Sequence, residues 1–287
     1  MALSKLQMIK DAIKTRKKAI IAFSGGVDST VLAALAYELL GDKALAVTLN
    51  SPLFPQRQLE TAVQTACELG ISHKVLPFSP QNLPYFSANP LNRCYFCKKA
   101  LLTTLVKFAE KEGYNVVLEG TNASEIEKYR PGHQALLEAG EKVFAPFLEF
   151  KVTKAEVREM AASRALSATH RPAMACLASR FPYGQPINAQ ALQKIEKAEE
   201  YLFSLGILQV RVRMHANLAR IEVLPEAFPK LLSQSKKISR GFRELGFDYV
   251  TLDLEGYRSG SMDEPQALKT ESLRKEKKKR EKKRQFE

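Results

Sequence analysis

The stretch AIIAFSGGVDST, residues 19–30, decides the fold. Its first five residues are apolar without a polar interruption, as in a strand buried on both faces of a parallel sheet. Two glycines then turn the chain, and Thr30 to Leu40 has a strongly helical composition. A strand, a glycine turn and a helix in that order open an α/β unit, and the start of such a helix is a natural anion site.

The pattern repeats outward. ALAVTLN (44–50), SHKVLPF (72–78) and NVVLEG (115–120) read as further strands, separated by helices over 56–69 and 98–111. VFAPF (143–147) reads as another strand, and Thr153-Lys154-Ala155-Glu156 predicts a capping box opening a helix over 154–165. After the Pro- and Gly-punctuated RPAMACLASRFPYGQP the character changes. A helix near 190–205, the alternating VRVRM, a return LARIEV and a later YVTLDLEGY predict a partly exposed sheet. The expected class is α/β, a parallel-sheet domain over 1–184, followed by a smaller C-terminal α+β domain over 185–265 and a basic tail over 266–287.

The whole chain has 287 residues, 45% hydrophobic and 26% charged, which fits one large or two modest globular domains and excludes disordered, collagen-like and solenoid chains. No stretch approaches the roughly 20 apolar residues that cross a bilayer. Lys5, Lys10, Asp11 and Lys14 interrupt the N-terminal apolar residues, so a signal-peptide core is not expected and a cytoplasmic location is. The net charge is +13, but RKEKKKREKKR (274–284) supplies +7 of it. That run has no apolar periodicity and reads as a solvated tail capable of non-specific polyanion contact. The cysteines, Cys67, Cys94, Cys97 and Cys176, are too few to staple such a chain; Cys67 reads as core, the others as ligands, nucleophiles or core.

In Ser24-Gly25-Gly26-Val27-Asp28-Ser29 each residue type has a physical reason. The glycines let backbone N–H groups approach phosphate oxygens, and Ser24, Ser29 and Thr30 add hydroxyls at the positive end of the helix dipole. Asp28 would repel a bare phosphate; it suits a Mg²⁺ ion between carboxylate and pyrophosphate, or it orders the turn. Asn50 and Ser51 after the second strand, and Gly120, Thr121 and Asn122 after the fourth, fall on the carboxyl edge where a nucleotide should lie. The motif is not a Walker loop, because GxxxxGK[ST] is absent. SGGVDS after a hydrophobic strand resembles the pyrophosphate loop of the PP-loop ATP pyrophosphatases, enzymes that cleave ATP between the α and β phosphates and transfer AMP to a substrate oxygen.

Cys94-Tyr95-Phe96-Cys97 places two thiols where one metal can reach both. The scattered His73, His133, His170 and His215 do not complete a zinc tetrahedron, and Cys176 is the natural third ligand. Three thiolates suit a 4Fe-4S cluster with one open iron; the competing reading is a core Cys176 beside an incidental CxxC. Arg211 and Arg213 alternate with valines, so both guanidiniums share a strand face and could grip a phosphate, unless the face is simply solvated.

Taken together, SRFPYG (179–184) after a cysteine, the runs 210–227 and 245–262, and YRPG (129–132) resemble the LarE family of ATP-dependent sulfur transferases over nearly the whole chain except the tail. The resemblance implies a pyridinium dicarboxylate mononucleotide substrate whose carboxylates are adenylated and converted to thiocarboxylates, for a nickel-pincer nucleotide cofactor. It implies ATP and Mg²⁺ as cofactors, with a 4Fe-4S cluster on Cys94, Cys97 and Cys176, or else sacrifice of the Cys176 sulfur in the style of single-cysteine members. It gives Glu199 as an active-site acid, Arg211 and Arg213 as phosphate ligands, and Arg180 and Arg130 as candidates for substrate and ATP phosphates, although a structural salt bridge would suit either. Glu222 could touch a divalent ion or an adjoining subunit, or be a surface acid. Expected partners are the mononucleotide, a sulfide source and further copies of the chain. A tRNA-thiolating PP-loop enzyme, supported by the basic tail, is the rival activity; a zinc-stabilised nucleic-acid-binding protein would leave SGGVDS without a purpose.

Overall fold

The computed structural model describes residues 2–80, 84–125, 132–171, 175–258 and 260–263. Arg130 and the basic tail lie outside the described residues. The chain divides into two compact units, Met1–Cys176 and Leu177–Glu287, so the division expected at 184/185 falls inside the second.

The first unit runs α1 (Ala2–Thr15), β1 (Ala19–Ala22), α2 (Val27–Leu40), β2 (Ala44–Asn50), α3 (Gln56–Leu69), β3 (His73–Pro77), α4 (Pro84–Ser87), α5 (Arg93–Lys111), β4 (Val116–Leu118), α6 (Gly132–Glu138), β5 (Val143–Phe144), α7 (Pro146–Glu149) and α8 (Lys154–Ala162). The five strands pair in parallel in the order β3-β2-β1-β4-β5. Successive side chains of a strand point to opposite faces, so β1 feeds two cores at once. Ile21 joins Ile9, Leu32 and Phe147 on one side, and Ile20 joins Val47, Leu102 and Val117 on the other. That double burial is why the run tolerates no polar residue.

Several expectations are corrected. The strand expected over 143–147 stops at Phe144, because Pro146 lacks an N–H for the ladder and instead opens α7 near its first position. The helix after the capping box ends at Ala162, and Ala165 has φ 51°, a left-handed geometry that cannot continue it. Cys67 is exposed, not core: α3 buries Ala62, Thr65 and Ala66, which leaves Cys67 on its outer face.

The capping box itself is present. Glu156 N donates to Thr153 Oγ1 at 3.3 Å, and Thr153 N donates to Glu156 Oε2 at 2.7 Å. The hydrogen bond from Lys5, then that from the Thr153 backbone, hold the Glu156 carboxyl at about 2.

The second unit contains α9 (Ala189–Ser204), β6 (Val210–His215), β7 (Leu218–Val223), α10 (Phe228–Ser233), α11 (Ser235–Glu244) and β8 (Tyr249–Leu252). β7 is central, antiparallel to β6 and parallel to β8. The alternation in VRVRM does not mark a half-exposed strand. β6 is buried from Val210 through Met214, arginines included, because buried carboxylates meet the polar face. Among the described residues no helix is long and apolar enough to cross a membrane.

Thr153→Ala removes an N-cap acceptor and should lower the stability of the first unit by about 1 kcal/mol in chemical denaturation, with Thr153→Ser close to the parent.

Candidate active site

In the first unit the chain leaves β1, visits β2 and β3 on one side, and returns to β4 on the other, so β1 and β4 flank a topological switch point. Ligands of open α/β sheets bind in the crevice outside the strands' carboxyl ends at such a point. Ser24–Ser29 follow β1 there, and Gly120–Asn122 follow β4. α2 opens at Gly26 with no side-chain cap, leaving its first N–H groups available to an anion. Gly25 has φ +70°, and a Cβ on it would lie 2.9 Å from Ala62 Cα, so only glycine lets the loop rest on α3. A Cβ on Gly120 would come within 3.3 Å of Asp28 C and Ser29 N, which brings the β4 loop directly against the β1 loop.

Within the loop Ser29 Oγ donates to Gly26 O at 3.0 Å and lies 3.2 Å from Ser24 Oγ, while Thr30 Oγ1 is buried without a hydrogen-bond partner. The Asp28 carboxylate accepts from Asn122 Nδ2 at 2.9 Å on one oxygen and pairs with Lys154 Nζ on the other. Asn122 Oδ1 beside it is buried and unbonded, an oxygen donor that with Asp28 suits a hard cation such as Mg²⁺. Asn50 is exposed and Ser51 buried at the end of β2, where Ser51 Oγ accepts from Leu53 N at 3.3 Å.

Cys94 and Cys97 occupy the first turns of α5, one turn apart on one face. Burial pushes the Cys97 thiol up, the charges of Cys176 and Cys94 push it further, and the Arg93 guanidinium pulls it down. Three thiolates would be a soft donor set of the kind that holds an iron–sulfur cluster; Cys94 is exposed, and Cys97 and Cys176 are half-buried. No three His, Cys, Asp or Glu side chains among the described residues are gathered at metal-ligating positions. Next along α5, Lys98 Nζ donates to Glu119 Oε1 at 2.8 Å and to Thr121 Oγ1 at 2.9 Å, and Thr121 N donates to Glu119 Oε2 at 2.9 Å. This joins the CxxC helix to the β4 edge. Burial alone would raise the Glu119 carboxyl, but Lys98 and Thr121 outweigh it and hold the group below its usual range.

In the second unit Arg180, 1% exposed, places Nε and Nη2 on the two Glu199 oxygens at 2.9 and 3.0 Å. Glu199 also accepts from Val212 N at 3.0 Å, which anchors α9 to β6. Arg213 Nη2 reaches Glu222 Oε2 at 2.7 Å, and the other Glu222 oxygen accepts from Arg220 Nη2 at 3.0 Å and Ser261 Oγ at 2.7 Å. Glu222 is fully buried, so the surface-acid expectation is overturned. Arg211 lies 5.3 Å over the Tyr257 ring; burial and then the like charge of Arg180 lower its pKa. Among the described residues of the second unit, three buried guanidiniums, Arg180, Arg211 and Arg213, stand beside two buried acids, Glu199 and Glu222, and Arg213 Nε has no hydrogen-bond partner. That surplus suits an anionic group.

Residues 4–168 match the NAD synthase family model. The chain is 36% identical over 255 residues to the pyridinium-3,5-bisthiocarboxylic acid mononucleotide synthase of Lactiplantibacillus plantarum, covering 88% of this chain and 91% of that one. The chain belongs to the LarE family of PP-loop proteins. An uncharacterized protein of Synechocystis is 43% identical over 262 residues, 91% of this chain and 97% of its own. The NH3-dependent NAD+ synthetase of Wolinella succinogenes is 32% identical over 114 residues, only 38% of this chain and 44% of its own.

Against that LarE framework, sequence reasoning missed Lys154 as a partner of the loop and Lys98 with Glu119 as the tie between α5 and β4. A signal for Lys154 existed. A cation in the first turn of a helix opposes the helix dipole, so its presence directly after the N-cap Thr153 asks for a nearby anion.

Glu222→Ala strands two guanidiniums and should destabilise the second unit by about 3 kcal/mol or more, measured by urea denaturation. Because the folded Glu119 pKa is depressed, its contribution is fully present above the ordinary value of 4.5 and is lost as pH falls through the lower folded value. The loss of stability on acidification below that pH should be smaller in Glu119→Gln than in the parent.

Proposed function

We propose that this ATP-using enzyme is a sulfur transferase that adenylates the carboxylates of a pyridinium dicarboxylate mononucleotide and converts them to thiocarboxylates. The observation that supports the reading is the presence, within one compact unit, of an uncapped glycine loop and of a CxxC whose helix is tied to the same sheet edge through Lys98, Glu119 and Thr121. The name of the Lactiplantibacillus relative supplies the product class.

The residues divide the work. Backbone N–H groups at Gly26 and the first turn of α2, with Ser24, Ser29 and Thr30, bind the β and γ phosphates; Lys154 neutralises their charge. Asp28 would hold Mg²⁺ with Asn122 Oδ1 beside it, and that ion would offset the charge of the departing pyrophosphate. Asn50, Ser51, Gly120 and Thr121 contact the nucleotide. Arg211 and Arg213, with Arg180 braced by Glu199, grip the mononucleotide's phosphate. A substrate carboxylate oxygen attacks the α-phosphorus, the bond from that phosphorus to the bridging oxygen breaks, and pyrophosphate leaves with the electron pair. AMP thereby becomes the leaving group that a sulfur nucleophile displaces. Cys94, Cys97 and Cys176 would hold a 4Fe-4S cluster, which when bound supplies sulfide held out of solution. On this reading the enzyme works in the cytoplasm, with a sulfide source and as a homo-oligomer.

Asp28→Asn and Lys154→Met should each reduce substrate-dependent pyrophosphate release at least about tenfold; parental release in both would sink the adenylation role. Anaerobically purified protein should carry about four irons and matching acid-labile sulfide per chain, lost in Cys94→Ala, Cys97→Ala and Cys176→Ala. An iron-free reconstituted parent whose Cys176 loses its sulfur during turnover would establish the sacrificial route instead.

A further inference from the structure

Arg171 lies outside every motif the proposed chemistry uses, yet its guanidinium makes three hydrogen bonds beneath the pyrophosphate loop. Nη1 donates to Gly25 O at 2.9 Å and to Thr65 Oγ1 on α3 at 2.7 Å, and Nη2 donates to Ser167 Oγ at 2.9 Å. Ser167 in turn donates to Glu68 on α3. The cation therefore bolts the loop to α3 at the point where Gly25 rests on Ala62.

A peptide unit is planar and trans, so its carbonyl and the following N–H point in opposite directions. Holding Gly25 O against Arg171 therefore turns the Gly26 N–H away from α3, to the side where it meets Ser24 Oγ at 3.4 Å. The positive charge behind the carbonyl also polarises the peptide and strengthens that N–H as a donor. Gly25 is at φ +70°, where a glycine has broad freedom to rotate, so the orientation needs an external restraint.

We propose that Arg171 is a positioning residue that aims the Gly26 N–H at the pyrophosphate portion of the nucleotide. It touches no reacting atom. The inference rests on the ATP-binding reading of the loop, and it makes a narrower claim: affinity gained through Arg171 belongs to the β and γ phosphates, not to the adenosine or the α-phosphate.

The test is calorimetric titration of the full chain with α,β-methylene-ATP and, separately, with AMP, each with magnesium. Arg171→Met should weaken the ATP analogue about tenfold, Arg171→Lys less because one donor replaces the fork, and AMP binding should change less than about twofold in both. Thr65→Val, which leaves the Gly25 contact in place, should leave both affinities within about twofold. Equal weakening of analogue and AMP in Arg171→Lys, or no weakening of either in Arg171→Met, overturns the assignment. If Arg171→Met does not fold, Arg171→Lys set against Thr65→Val decides: an equal loss of analogue affinity in both overturns it, and a loss confined to Arg171→Lys supports it. Parental protein that binds no analogue overturns the ATP reading as well, whereas parental binding with an unaffected Arg171→Met overturns this inference alone.

Discussion

The first unit depends on one electrostatic constraint: an open helix N-terminus at the sheet's switch point that also carries a carboxylate. α2 offers its first N–H groups without a side-chain cap, which favours an anion, and Asp28 in its first turn adds negative charge to the same place. Lys154 pairs with that carboxylate and offsets its charge. As the first residue of α8 it is itself opposed by a helix dipole, and the pairing with Asp28 offsets this. Gly25 and Gly120 permit the arrangement, because side chains at either position would push the loop off α3 or drive β4's loop away from Asp28.

The second unit shows the opposite economy. Burying three guanidiniums and two carboxylates carries a desolvation penalty that well-packed apolar residues would avoid, so this cluster is poor evidence of selection for stability. What it provides is a positive site whose geometry is fixed: the Arg180–Glu199 fork is tied to β6 through Val212 N, and Glu222 is shared among Arg213, Arg220 and Ser261. Such preorganisation suits recognition of an anionic ligand at a low reorganisation cost.

The thiols illustrate how chemistry and burial interact. Burial and the charges of Cys176 and Cys94 make the half-buried Cys97 resist ionisation, and Arg93 pulls in the other direction. A thiolate set of this kind becomes favourable when cationic metal replaces the protons. Arg93 is itself held by Asn89 Oδ1 at 2.7 Å, and Asn89 is fully buried at φ 53°. The cation beside the CxxC is thus fixed by tertiary packing around the start of α5.

Local rules made the parallel α/β architecture, the loop after β1, the CxxC and the capping box at Thr153 legible, because strand burial, glycine turns and helix caps act over a few residues. Side-chain partnerships were legible only where they fall within one element. That VRVRM is buried follows from Glu199 and Glu222, which approach from other elements, and alternation alone cannot distinguish water from a buried acid as the neighbour of an arginine. Cys67 failed for the same reason: its helix has two partly apolar faces, and only packing chose Ala62 and Ala66 for the interior. Lys154 and Arg171 lie far along the chain from Asp28 and Gly25, and the sheet's crossover connections bring them together. The sequence by itself determined the opening strand, glycine loop and helix, the parallel α/β repeat that follows and the CxxC; the tertiary structure decided which charges meet at the loop, because Coulomb and hydrogen-bond energies depend on distances that only the folded chain sets.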